Sequence, residues 1–253
     1  MDKVKFSEYL TDIVTKEGVL SACYSTFHNY SILNQLLASS QLKGRGQSIA
    51  PIASYKKWQE LGRQVKKGSK AIALLMPVLV NKKDADGNKT DDKMQFFVTK
   101  NNWFSLEDTE GAEFKPETKI AAWDKDKALE ALNIQEAKFQ SLSGNAQGYA
   151  RDREIAINPL AVLPHKTRFH ELAHIVLGHT KENALMSDSE LTPKNIKEVE
   201  AESVAYILCE LLGLEGAKES RGYIQHWLNS DTIPDKSAQK IFGAADKILK
   251  AGQ

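Results

Sequence analysis

Cysteine is scarce: only Cys23 and Cys209 occur in 253 residues. Two thiols that far apart exclude a disulfide framework and a cysteine-based metal knuckle. Both sit in apolar, helix-patterned contexts and read as buried free thiols of a reducing compartment. Long apolar runs are lacking too, so no segment is expected to span a bilayer. Met1–Phe6 has no apolar core of the kind a secretion signal needs, and the expected location is the cytoplasm. There is no internal repeat and no low-complexity segment. An excess of one charge is also missing: 34 Lys and Arg face 33 Asp and Glu, a net +1. What remains, 42% hydrophobic and 26% charged, is the balance of an ordered soluble chain, enough for one large domain or two ordinary ones.

Against that plain background stands His170-Glu171-Leu172-Ala173-His174, an H-E-x-x-H pattern. Residues four apart on an α-helix point nearly the same way, so both imidazoles can reach one Zn²⁺. Glu171 then lies beside the metal-bound water and can take its proton. The flank supports a helix: Phe169, Leu172, Ala173, Val176 and Leu177 are spaced for a buried side, and Gly178 is a stop signal. The expected chemistry is that of a zinc-dependent hydrolase of the zincin class. The competing reading is a core helix whose two His residues flank a Glu without a metal.

Zinc in such a site takes a third protein ligand and leaves the fourth position to water. His179 is nearest in sequence, but a third-ligand H-E-x-x-H-x-x-G-x-x-H pattern would need Gly at 177 and His at 180, which are Leu177 and Thr180. His179 is therefore expected to cap the helix or lie near the mouth of the site. Further on, Glu198 to Cys209 is helix-patterned, and Glu198 and Glu202 share a face while Glu200 points elsewhere. Glu198 is assigned to the metal, and Glu202 to the free N–H of a ligating histidine. The reverse assignment stays open, as does a plain acidic surface helix. For the oxyanion of a hydrolysis the candidates are Tyr206, Tyr223 and His226.

The near-zero net charge conceals an uneven distribution. Lys43, Arg45, Lys56, Lys57, Arg63, Lys66, Lys67 and Lys70 share their stretch with one acid, Glu60. Tyr55 and Trp58 lie among them, and Phe27, His28 and Tyr30 shortly before. Cations for phosphates interleaved with rings for bases suit single-stranded nucleic acid, with Tyr30 and Trp58 as the stacking candidates. The alternative is a solvated basic face with the aromatics, Trp58 above all, in the core. Leu185 to Glu219 is by contrast acidic.

Periodicity predicts helices over 3–17, 24–41 and 54–61, a strand over 71–80, a turn at 84–88, a partner strand over 94–99 and another at 104–106. Polar residues 111–119 read as a linker. Beyond it come a helix over 124–132, two short strands within 147–158, and helices over 166–178, 194–213, 217–229 and 235–251. The expected fold class is α+β. A small N-terminal α+β domain with a hairpin sheet (1–111) and a linker (112–123) precede a zincin-like domain (124–253), mostly helical with a small sheet.

Taken in order, Tyr24–Leu37 (YSTFHNYSILNQLL), Lys56–Lys70 (KKWQELGRQVKKGSK), Phe104–Gly111 (FSLEDTEG), HELAH and Glu198–Leu212 resemble the ArdC family of antirestriction proteins of conjugative plasmids and transposons. The resemblance implies an N-terminal single-stranded-DNA-binding domain and a C-terminal zincin-like metallopeptidase domain. It also implies zinc at His170, His174 and Glu198, with Glu171 as base, and DNA contact by the basic-aromatic segment. In zincins, a strand just before the metal-binding helix pairs with an extended peptide substrate. The chain departs from the family pattern at His28–Ser31 and at Asp108. The C-terminal half also resembles the ImmA/IrrE metallopeptidases, which act on repressors. Two rival functions follow: a non-catalytic protein that shields single-stranded DNA and uses zinc only as a brace, and a regulator-cleaving peptidase whose N-terminal half binds protein.

Overall fold

The computed structural model describes residues 4–83, 89–115, 120–140, 146–180, 193–228 and 231–253. In chain order its elements are α1 (Phe6–Thr15), α2 (Val19–Phe27), α3 (Ile32–Gly44), β1 (Ile52–Ser54), α4 (Tyr55–Glu60), β2 (Arg63–Val65), β3 (Ile72–Lys83), β4 (Lys89–Ser105) and β5 (Thr109–Gly111). Then follow α5 (Lys125–Leu132), β6 (Gln135–Glu136), β7 (Gly148–Arg151), β8 (Glu154–Ile157), α6 (Pro164–Val176), α7 (Lys194–Leu212), α8 (Ala217–Leu228) and α9 (Asp235–Ala251). The class is mixed α+β, as the pattern predicts. The turn expected at 84–88 and linker residues 116–119 lie outside the described residues. No helix among the described residues is long and apolar enough to cross a membrane.

The chain forms two compact units, Ser25–Thr118 and Met1–Tyr24 with Lys119–Gln253, and α2 runs across the boundary between them. The first helix thus belongs with the C-terminal elements, whereas the sequence reading groups it with residues up to 111. The reason is long-range pairing. Ser7 donates its backbone N–H to the Asp235 carboxylate (3.0 Å), the Tyr206 hydroxyl donates to the Ile13 carbonyl (2.6 Å), and Arg221 Nε donates to the Val14 carbonyl (2.7 Å). An apolar stripe over Leu10, Ile13 and Val14 announces a buried face but not which distant helix covers it.

In the unit 25–118, the helix expected over 24–41 is two helices, α2 and α3. The chain breaks at 28–31, where Ser31 is extended, Gln35 Nε2 donates to the Tyr30 carbonyl, and the Tyr30 hydroxyl donates to the Ile52 carbonyl. The strands β1, β4 and β3 form an antiparallel sheet with β4 central, and β2 pairs with β5. The expected strands at 94–99 and 104–106 are one long β4, because pairing with β3 carries it through residues of low strand propensity such as Lys93 and Asn101. Asn34 and Gln41, two turns apart on α3, dock on the free edge of β3. Asn34 gives an N–H to the Leu75 carbonyl and accepts from the Leu75 amide, and Gln41 does the same with Ala73. Two side-chain amides thus satisfy backbone groups that a neighbouring strand would otherwise pair. The core here is built from Phe27, Ile32, Leu36, Trp58, Ile72 and Leu74.

The other unit is organised around α7, which packs against α6, α8 and α9. Its residues from Val199 to Cys209 are all buried. A helix covered this completely buries its acids along with its leucines, and buried carboxylates need partners. The small sheet has the order β6-β8-β7, with β6 parallel and β7 antiparallel to β8, so β7 is an edge strand lying beside α6.

Candidate functional site

Helix α6 starts at Pro164 and presents His170 and His174 one turn apart toward α7. Their Nε2 atoms are 3.1 Å apart. Glu198 Oε2, at the start of α7, lies 3.4 Å from His170 Nε2 and 3.7 Å from His174 Nε2. One ligand atom from each of the three falls within 4.8 Å of the others, a group able to hold a metal ion. Glu202, one turn further along α7, takes a different place. Its Oε2 is 3.0 Å from His170 Nδ1, and its Oε1 accepts from Lys166 Nζ at 2.7 Å. Both Glu202 oxygens are therefore engaged, while Glu198 faces the two Nε2 atoms and remains partly open to solvent.

The electrostatics follow from burial and pairing. Burial opposes protonation of His170, but its hydrogen bonds to Glu198 and Glu202, with the charges of Glu171 and Glu202, outweigh that and bring its pKa to about 9. Burial would raise Glu202, yet hydrogen bonds from His170 and Lys166 lower it to about 2. Hydrogen bonds from His170 and His174 hold Glu198 far below the usual carboxylate range. Glu171, buried at 9% exposure and outside the ligand cluster, is instead pushed up, chiefly by desolvation. A carboxylate with a raised proton affinity beside the histidine pair results.

A stability prediction follows for chelator-treated protein. His170, raised from 6.5 to about 9, contributes fully below pH 6.5 and loses that contribution as pH rises through 9. Glu202, lowered from 4.5 to about 2, contributes fully above pH 4.5 and loses that contribution as pH falls toward 2. Metal-free melting temperature is expected to peak between pH 4.5 and 6.5 and to fall toward pH 9. Added Zn²⁺ is expected to flatten the alkaline limb, because a bound cation takes the place of the proton. An alkaline limb equally steep with and without zinc would contradict this.

The cluster sits in a cleft of about 470 Å³, walled by Gly148–Arg151 of β7 and reached by Glu171, His179 and Thr180. Gly148 is required for this closeness. A Cβ there would lie 2.8 Å from Thr167 Cγ2 and 3.2 Å from Glu171 Oε1, so only glycine lets α6 rest on the strand with Glu171 beside it. Of the oxyanion candidates, Tyr206 is spent on Ile13 and buried. Tyr223 is exposed on α8, and its phenol is raised first by partial burial and then by the negative charges of Glu198 and Glu202. Neither it nor His226 lines the cleft.

His179, expected to cap the helix or lie near the mouth of the site, and Glu200, expected to point elsewhere, are linked to His174. His179 Nδ1 is 3.0 Å from His174 Nδ1, and His179 Nε2 is 2.8 Å from Glu200 Oε2. The side chains of His179 and Glu200 are 3% and 1% exposed. Burial lowers the His179 pKa, which favours the neutral imidazole in its hydrogen bond with Glu200. The helix end closes here through backbone groups. Gly178 adopts φ 81° and donates to the Ile175 carbonyl, and His179 N–H donates to the His174 carbonyl. That paired closure of a helix end folds the residue after the glycine back over the last turn. The Gly178-His179 pair after HELAH was the signal available in the sequence.

Residues 10–104 match a family model described as the N-terminal domain of anti-restriction factor ArdC. Two solved structures of the antirestriction ArdC protein from the R388 plasmid match over nearly the whole chain. The metal-free one is 20% identical with a TM-score of 0.52, covering 98% of this chain and 94% of its own. The Mn(II)-bound one is 19% identical with a TM-score of 0.53, covering 98% and 96%. Residues 10–104 are thus similar to the ArdC N-terminal domain, and the chain has the fold of the R388 ArdC structures. No curated protein sequence matches the chain.

Within the matched segment the expected nucleic-acid residues divide into two groups. Trp58 is fully buried, donates its indole N–H to the Phe104 carbonyl at 2.9 Å and meets Phe114 edge-on. It has no free face for a base, because the amphipathic α4 turns it into the core. Tyr30 is half-buried and tied to Ile52. Arg45 is spent on the Lys70 and Ala71 carbonyls, Arg63 on Thr109 and Ala112, Lys66 on the Glu107 carbonyl, and Lys57 on Glu60. Lys43, Lys56, Lys67 and Lys70 are exposed, with no side-chain partner among the described residues. Tyr55 is the exposed ring in their midst.

Proposed function

We propose that this chain is an antirestriction protein that binds single-stranded DNA through the unit 25–118 and hydrolyses peptide bonds at a zinc site held by His170, His174 and Glu198. The observation that carries the second half is the facing pair of Nε2 atoms. Each Nδ1 is already committed, His170's to Glu202 and His174's to His179. With Nδ1–H donating on both rings, each Nε2 offers a lone pair. Two Nε2 atoms 3.1 Å apart need a proton or a metal ion between them, and Glu198 supplies the matching negative charge. The donor set of two imidazoles and one carboxylate suits Zn²⁺, and a fourth position remains for water or substrate.

Bound zinc lowers the pKa of its water to about 7 and polarises a carbonyl. Glu171 accepts the proton of the attacking water and passes it to the departing amine, a role its raised pKa favours. Glu202, itself held by Lys166, fixes the ring of His170. The free edge of β7 lies along the cleft and offers backbone groups to an extended peptide.

For the DNA-binding half, Lys43, Lys56, Lys67 and Lys70 contact phosphates and Tyr55 stacks on bases. Replacing the four lysines by Ala is expected to weaken a single-stranded oligonucleotide and to flatten the salt dependence of binding. Each phosphate contact contributes about 0.7 to the slope of log K against log salt on single strands. Binding that is absent, or insensitive to salt, would favour a protein-binding N-terminal unit instead.

A further inference from the structure

A metal-binding imidazole usually gives its second N–H to a carboxylate or a carbonyl oxygen, whose acceptor role is not in question. His170 follows that habit with Glu202. His174 does not: its Nδ1 faces another imidazole, His179 Nδ1, at 3.0 Å. An imidazole is an ambiguous partner, because a neutral ring can carry its proton on either nitrogen. In one tautomer His179 would accept from His174. In the other it would present an N–H, force the proton of His174 onto Nε2, and cover the lone pair that a metal needs.

We propose that Glu200 and His179 form a positioning relay that removes this ambiguity and keeps His174 Nε2 open to a divalent cation. The proposal rests on the metal-site reading above. Glu200 Oε2 lies 2.8 Å from His179 Nε2 and, as a carboxylate, can only accept. His179 must therefore carry its proton on Nε2. That leaves Nδ1 as an acceptor, so His174 donates from its own Nδ1. The polarity of three side chains is set in one direction, from His174 through His179 to Glu200. Both relay residues are almost fully buried, so water cannot substitute for either partner. The fold supplies the alignment twice over. Gly178 returns the chain so that His179 lies over His174, and α7 brings Glu200 to the same place from two residues beyond Glu198. One helix thus serves both imidazoles: Glu202 holds His170, and Glu200, through an intermediary, holds His174.

The test is Zn²⁺ affinity of the full-length protein by competition against a chromophoric chelator, read beside the melting temperature of each metal-free variant. His179→Leu removes the acceptor and is expected to weaken zinc about 10- to 100-fold, the range for outer partners of metal ligands. His179→Gln should stay close to wild type. Its amide has one donor and one acceptor end, and Glu200 forces the NH₂ toward itself and the oxygen toward His174. Glu200→Gln, nearly isosteric, should fall between, since an amide there no longer dictates direction. Zinc affinity in His179→Leu equal to wild type would overturn the relay, even if its melting temperature falls, because the residue would then only pack. Equal losses in His179→Gln and His179→Leu would overturn it as well. A wild-type protein that binds no zinc, as His174→Ala should, would sink the metal site itself and the relay with it.

Discussion

Glu171→Gln is expected to keep zinc and lose peptide hydrolysis. The carboxylate lies outside the group of three ligand atoms, so its amide analogue leaves the metal affinity intact. What the amide cannot do is take a proton from water, and general-base catalysis is worth about 10²- to 10⁴-fold. Gln has nearly the volume of Glu, so it fits the space beside Gly148 without disturbing α6. The measurement is cleavage of a fluorogenic peptide library by the zinc-loaded protein, with metal content determined on the same samples. Undiminished cleavage would remove Glu171 from the chemistry. Lost zinc would make it a ligand. Full antirestriction by a cleavage-dead Glu171→Gln protein would mean that DNA shielding, not proteolysis, carries the biological effect.

The second large effect separates the carboxylates of α7. Glu198→Ala is expected to abolish tight zinc binding, because no other carboxylate oxygen lies near both Nε2 atoms among the described residues. Glu202→Gln should cost only about 10- to 100-fold, since it loosens the ring of His170 without removing a ligand. It should also lower stability, because Lys166 loses its ion-pair partner in a half-buried setting. Competition against a chelator gives both affinities, and thermal melting gives the stability. If the order is reversed, with Glu202→Gln the more damaging to zinc, then Glu202 is the ligand and Glu198 a charged rim residue.

Much of the site was legible from spacing alone. His170, Glu171 and His174 follow from the helical repeat, as do Glu198 and Glu202 on one face of a second helix. The same argument points Glu200 away from that face. It does point away, toward His179. Helical periodicity tells which residues share a direction, but it cannot tell that α7 is enclosed on several sides and that a second direction also meets part of the site. Trp58 shows the same limit in reverse. A tryptophan among lysines fits a stacking platform by composition, and only the fold puts it in the core with its N–H on Phe104.

By itself the amino-acid sequence determined the chemistry on offer. It supplied a pair of imidazoles and a base on one helix, acids on another, a surplus of cations in the first half, and apolar stripes that fix most helices. These depend on neighbours within a turn or two, where geometry is common to all helices. The tertiary structure alone decided which acid faces the histidines, which cations stay free, and that the first helix serves the C-terminal unit. Those outcomes depend on which surfaces meet across tens or hundreds of residues. No local pattern records that, because any apolar stripe can be buried by any complementary one.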